Sequence, residues 1–277
     1  MSNTPPAIEF RDTHFSFNAG FEDEVEVLPG VSFTVPKGEF VSIIGPSGCG
    51  KSTMLLLGVG LEFPTSGEVL WHGEPIDSPS PERGIIFQKP NLFPWCTALS
   101  ATEWGLKVRG VPFKERRKIA KQMLTNVGLS SFGNHKVNDL SGGMQQRVAV
   151  AQVLANDCDT IFLDEPFSAL DIQTRMLMQR FLLNTWQESG KTLVMVTHSI
   201  DEALMANRVL VLGKRPAKII DDISVDLARP RDVRDKEFTD LHRHLTRLIE
   251  TEVMAAAEAE GSWESASNAA PVWVIGE

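Results

Sequence analysis

The chain has 277 residues, 42% of them hydrophobic and 23% charged, the balance of an ordinary globular protein with ample material for a buried core. A net charge of −9 speaks against nucleic acid as a main partner, because a phosphate-binding surface carries a basic excess, yet leaves a nucleotide site open, which needs only a local positive field. The three cysteines, Cys49, Cys96 and Cys158, are scattered with no CxxC pair, which indicates neither a disulfide framework nor a zinc site.

Residues 1–6 lack the basic and apolar regions of a secretory signal. No apolar run reaches the roughly 18 residues of a membrane span, so any role at a membrane is expected to come through partners. Residues 1 to about 40 alternate weakly around Phe15, Phe17 and Val25 to Leu28, which predicts an antiparallel β flank. Val41 to Ile44 reads as a buried strand, followed by a glycine-rich loop and an apolar helix beginning near Lys51. A second buried strand is expected at Gly84 to Phe87. From Pro90 to Ala155 the pattern changes to a proline-punctuated loop, a charged amphipathic helix over 114–127 and a further helix over 141–156. Strands are expected again at 160–163, 192–196 and 208–212, separated by helical patterns at 170–188 and 200–206. This alternation predicts a parallel α/β sheet. An amphipathic helix over about 235–258 and a small, polar, frayed tail over 261–277 complete the chain.

The segment Gly45-Pro46-Ser47-Gly48-Cys49-Gly50-Lys51-Ser52-Thr53 fits GxxxxGK[ST] and stands between a strand and a helix, where the physics requires it. Its glycines let backbone N–H groups wrap phosphates, and the helix N-terminus adds partial positive charge. Lys51 is expected to reach the β- and γ-phosphates of ATP, and the Ser52 hydroxyl to coordinate Mg2+. Cys49 occupies an unspecified position of the loop. Asp164 ends the apolar strand 160–163, suitably placed to hold Mg2+ through water, and Glu165 beside it is suited to polarise an attacking water as general base. Gln88 and His198 each follow a strand and so belong on the same sheet edge: Gln88 can reach Mg2+ or the lytic water, His198 the γ-phosphate. The remaining histidines read as surface or core residues, including His242 and His244, whose i, i+2 spacing on a helix points them apart.

Leu140-Ser141-Gly142-Gly143-Met144-Gln145-Gln146-Arg147 supplies a second helix terminus suited to an anion: Ser141 caps it and Gly142 and Gly143 expose its first N–H groups. With one P-loop in the chain, the expectation is that this terminus meets the γ-phosphate held by another copy, two chains pairing head to tail around two ATP molecules.

Together these residues resemble the nucleotide-binding subunit of ABC transporters, from about Ile8 to about Ile220. The resemblance implies a P-loop NTPase (RecA-like) core of α/β class, spanning 1–88 and 158–220 with its antiparallel β flank, a helical signature subdomain over 89–157, and a C-terminal helical extension over 221–277. It makes Gln88 the Q-loop glutamine, 140–144 the signature, Asp164 and Glu165 the Walker B pair, Ser168-Ala169-Leu170-Asp171 the D-loop with Asp171 at the nucleotide, and His198 the switch histidine. The adenine-stacking aromatic of the family is usually Tyr; this chain has no Tyr, leaving Phe17 first and Phe15 second. Met144 in place of the usual Gln, Phe93-Pro94-Trp95, the run from Thr197 to Ala203 and the run from Lys214 to Ile219 are similar to the importer branch for nitrate, sulfonate and taurine. Ser199, Ala217 and Lys218 depart from that branch.

The resemblance further implies membrane permease subunits docked at Lys89 to Glu103 on the cytoplasmic face of the inner membrane, fed by a substrate-binding protein. Two rival readings are a soluble ABC ATPase acting on DNA or ribosomes, which usually carries two cassettes or a long coiled coil, and a catalytically quiet regulatory module, against which Glu165 and His198 count.

Overall fold

The computed structural model describes residues 4–259, so the tail expected over 261–277 lies outside the described residues. The chain runs β1 (Ile8–Phe17), β2 (Val25–Val35), β3 (Phe40–Ile44), α1 (Lys51–Val59), β4 (Ser66–Trp71), β5 (Glu74–Pro75) and β6 (Arg83–Ile86). Four helices follow: α2 (Ala98–Thr102), α3 (Trp104–Val108), α4 (Phe113–Asn126) and α5 (Gly142–Ala155). The remainder is β7 (Thr160–Asp164), α6 (Ile172–Ser189), β8 (Thr192–Val196), α7 (Ile200–Ala203), β9 (Arg208–Leu212), β10 (Ile219–Ser224) and α8 (Lys236–Ala259).

Two sheets form. The larger has the order β10-β9-β3-β8-β7-β6, parallel except for β10. Its inner strands β3, β7 and β8 are apolar with little exposure, because helices cover both faces of a parallel sheet. The smaller sheet, β2-β1-β4-β5, is antiparallel. Three strands go beyond the sequence reading. β4 and β5 add to the β flank, and β10 carries the large sheet past residue 220 to Ser224. β10 alternates half-buried and exposed residues at a sheet edge and so lacks an apolar run. Conversely, α7 stops at Ala203, three residues short of the expected end.

α1 lies between the two sheets, sharing one core with Ile43, Val196, Phe10 and Val69. The helices α2, α4 and α5 pack on one another around Leu99, Leu124 and Val150, a core continuous with Leu163 and Met195 of the large sheet. α8 lays Phe238 and Leu245 on Ile44, Val209 and Val211. Every parallel strand thus delivers its C-terminal end to one edge, where four functional loops leave β3, β6, β7 and β8.

Candidate nucleotide site

The P-loop leaves β3 at Gly45 and enters α1 at Lys51. Gly48 and Gly50 have φ of 73° and 112°, a left-handed conformation that a side chain would strain, and Gly50 is the N-cap of α1. At Gly50 there is also no room: an added Cβ would lie 2.7 Å from Val27 Cγ1. Lys51 is buried, and its Nζ donates to the carbonyls of Gly45 (2.9 Å) and Pro46 (2.7 Å) and weakly to Cys49 Sγ (4.0 Å), which holds the ammonium at the centre of the loop. Cys49 is buried too, and burial pushes its thiol pKa up against the opposing pull of Lys51, so it behaves as a small apolar residue rather than a reactive thiolate.

Ser52 and Asp164 meet directly, Ser52 Oγ donating to Asp164 Oδ1 at 3.1 Å, although 112 residues separate them. Burial raises the pKa of Asp164, the Ser52 bond opposes the rise, and the neighbouring Glu165 charge adds to it. A cation would reverse that balance, and the oxygen set of Ser52, Asp164 and the Gln88 amide suits a hard ion such as Mg2+ that keeps waters and phosphate oxygens as its other ligands.

Glu165 is the meeting point of the edge. Gln88 Nε2 donates to its Oε2 at 2.7 Å, and His198 Nδ1 lies 3.2 Å from the same oxygen. Glu165 also holds φ at 44°, left-handed for a residue with a side chain, a strain of about 1–3 kcal/mol. The surrounding backbone imposes it: Glu165 N–H donates to Val196 O, and Ser168 donates twice to Glu165 O. Three side chains that sequence alone placed on one edge therefore converge on one carboxylate oxygen.

Phe17 and Phe15 separate clearly. Phe15 is 4% exposed and belongs to the core between the sheets, whereas Phe17 is 49% exposed at the end of β1, its ring edge-on to Phe15 at 5.0 Å. Phe17 pairs with Val25, two residues along β2 from the Val27 that packs on Gly50, so it sits beside the head of the P-loop.

The signature stands at the N-terminus of α5, with Ser141 Oγ accepting from Met144 N at 3.4 Å as the expected cap. Ser141 and Gly142 are exposed, and a Cβ on Gly142 would meet nothing within 4 Å. Gly143 faces the D-loop, where a Cβ would lie 3.2 Å from Ala169 O. Asp171 itself accepts from the N–H groups of Gln173 and Thr174, which lowers its pKa and commits its carboxylate to capping α6. Both bonds fall on Oδ1, so the side chain fixes the start of α6 and with it the D-loop. The sequence reading missed Gln146, buried in α5, whose Nε2 donates to Phe87 O at 3.2 Å and ties the signature helix to the residue before Gln88. No pattern in the sequence announces this bond, because glutamine is common in helices.

A phosphate-binding loop, an adjacent acidic pair and a histidine at the end of the neighbouring strand define the chain as a P-loop nucleotide hydrolase. The ABC transporter family profile matches residues 28–168. An ABC transporter ATP-binding protein of Methanocaldococcus jannaschii is 43% identical over 241 residues, covering 87% of this chain and 89% of that protein. The taurine import ATP-binding protein TauB of Roseobacter denitrificans is 40% identical over 247 residues, 85% of this chain and 92% of that protein. Among solved structures, a dimeric ATP-binding cassette in a post-hydrolysis state with ADP and Pi superposes with a TM-score of 0.73 at 35% identity, over 80% of this chain and all of that one. The chain belongs to the ABC transporter family, as one of its ATP-hydrolysing subunits.

Proposed function

We propose that the chain is the motor of an importer for small sulfonate or related anions, working as a head-to-tail pair that closes on two ATP molecules. The observation that carries this reading is the exposed, glycine-headed terminus of α5 in a chain with a single P-loop. Each copy supplies the P-loop for one ATP and Ser141-Gly142-Gly143 for the other. The dimeric cassette with ADP and Pi, and the relatives named for taurine import, support it.

Within one half-site, residues 45–53 wrap the triphosphate with backbone N–H groups, Lys51 exchanges its weak Cys49 Sγ contact for the β- and γ-phosphates, and Phe17 stacks on adenine. Ser52, Asp164 and the Gln88 amide oxygen would hold Mg2+, which would supply positive charge to neutralise the phosphate oxygens. Glu165 takes a proton from the attacking water. Gln88 and His198 occupy its Oε2, which orients Oε1 toward that water and fixes the carboxylate plane. ATP favours the closed pair, and ADP with phosphate releases it.

Closure acts on membrane subunits docked at Lys89 to Glu103. There Trp95, 71% exposed, stacks on Phe93 at 5.2 Å, and Phe93 meets Trp104 edge-on at 4.9 Å, an aromatic surface that an isolated protein would bury. No helix among the described residues is long and apolar enough to cross a membrane. In this reading the pathway belongs to those partners, and the chain sits against them on the cytoplasmic face of the inner membrane. A substrate-binding protein presents the anion on the far side.

Gly142→Asp tests the pairing. The site is open and an acidic residue suits the first turn of a helix, so the isolated chain keeps its Tm. Placed against a partner's γ-phosphate, the same carboxylate repels it. ATP-dependent dimerisation, read by light scattering in a Glu165→Gln background, and phosphate release in the native background are both lost. Retained dimerisation would refute the paired site. Cargo is tested separately by ATP-driven uptake of labelled taurine into vesicles carrying the chain with its permease; no uptake there removes taurine from the assignment.

A further inference from the structure

We propose that Glu252 of α8 is a positioning residue for the nucleotide site, acting through the turn between β9 and β10. That turn is the wall against which the P-loop lies. At one end, a Cβ on Gly45 would stand 2.7 Å from Leu212 O and 3.0 Å from Leu212 Cβ. At the other, a Cβ on Gly50 would stand 3.7 Å from Ala217 Cβ, and Ala217 N–H donates to Val27 O at 2.8 Å, the same Val27 that closes over Gly50. Both ends of the phosphate loop are therefore located by residues 212–217.

The turn has little of its own to hold it. Gly213 N–H donates to Lys218 O at 2.9 Å and Gly213 and Ala217 are buried, but Lys214, Arg215, Pro216 and Lys218 between and beside them are exposed. The fixings come from α8. Glu252 Oε2 accepts from Lys214 N–H at 2.9 Å, and Lys214 Nζ donates to Ala255 O at 3.0 Å. The same carboxylate closes on Gly213, where a Cβ would meet Glu252 Oε2 at 2.9 Å. α8 is in turn seated on the core next to Ile44, the residue that precedes the P-loop. The Glu252 charge reaches the P-loop itself: burial dominates the rise of the Cys49 thiol pKa, and Glu252 adds to it. One acceptor oxygen on α8 thus links the last described helix to the phosphate cradle.

In the intact protein, Glu252→Ala leaves the Lys214 N–H to water on an exposed turn, at little cost to folding, and loosens the wall of the site. The expected result is a KM for ATP raised about fivefold with kcat changed less than about twofold. Glu252→Gln, which keeps an acceptor for the Lys214 N–H, restores the KM. An unchanged KM in Glu252→Ala overturns the inference, and so does a loss of kcat at constant KM that tracks a fall in Tm, the signature of a merely structural bond. The inference rests on residues 45–53 being the ATP site, so Lys51→Ala is measured alongside. If Lys51→Ala binds ATP as tightly as the native chain, that reading fails whatever Glu252 does.

Discussion

Replacing Glu165 by Gln changes one oxygen for an NH2 group and little else. The amide oxygen can still accept from Gln88 Nε2, now 2.7 Å away, and from His198. The left-handed φ of 44° at this position is held by the bonds of Glu165 N–H to Val196 O and of Ser168 to Glu165 O, which do not involve the side chain. Ser52 and Asp164 keep their mutual contact, and Asp164 loses an adjacent negative charge that had helped to raise its pKa. ATP binding therefore survives. What disappears is the basic oxygen, and positioned general-base catalysis contributes about 10²- to 10⁴-fold. That corresponds to about 2.7–5.4 kcal/mol of barrier at 1.36 kcal/mol per decade. Phosphate release under saturating MgATP should fall by that factor, while size-exclusion chromatography with light scattering shows an ATP-stabilised dimer accumulating. Turnover within about tenfold of the native rate would remove Glu165 from the base role, because a group supplying less than one decade is not performing the proton transfer.

Two further outcomes follow from the geometry. Burial raises the pKa of Asp164 in the folded chain, so ionising it costs stability that protonation restores; the penalty is absent below the ordinary carboxylate pKa and grows as pH rises through the raised one. Without nucleotide or metal, Asp164→Asn should accordingly have a Tm above native at neutral pH and converge with it in acid, and a gap that is constant across this range in thermal melts would refute the sign. The two candidate aromatics should divide cleanly: Phe17→Ala loses about 1–3 kcal/mol of nucleotide affinity with little change in Tm, whereas Phe15→Ala costs about 3–5 kcal/mol of stability, and isothermal titration beside chemical denaturation distinguishes them.

Much of this site is legible in the amino-acid sequence, and for a definite reason. Strands covered on both faces must be apolar throughout, so β3, β7 and β8 announce themselves as runs, and the chemistry sits immediately after such runs. β4, β5 and β10 lie at or near sheet edges, carry Gly, Glu and Asp, and give no comparable signal. Period-two alternation puts Phe15 and Phe17 on one face and cannot rank them. Their difference arises because β1 shifts register against β2 between Phe15 and Ser16, with Phe17 falling at the open end of the sheet. The motif marks Asp171 for the nucleotide and does not announce that its Oδ1 also caps α6. Contacts such as Gln146 to Phe87 and Glu252 to Lys214 join residues 59 and 38 positions apart through a single oxygen or nitrogen, which composition and periodicity do not encode.

Splitting each nucleotide site between two copies has a thermodynamic consequence that a complete site within one chain would lack. If the α5 terminus binds the γ-phosphate only in the pair, the free energy of that contact appears as association, and ATP strengthens pairing by the same factor by which pairing strengthens ATP binding. Two sites per pair make the dependence on nucleotide steep. Hydrolysis then removes the one phosphate that both copies share, so opening needs no separate trigger. Gln88 lies where this would matter most, bonded to Glu165 and joined through Phe87 O and Gln146 to α5, the helix proposed to face the other copy. A membrane subunit docked on the adjoining Lys89 to Glu103 segment, as proposed above, would press next to both bonds. Reciprocity then makes a docked membrane subunit change ATP-dependent pairing by the same factor by which pairing changes its docking.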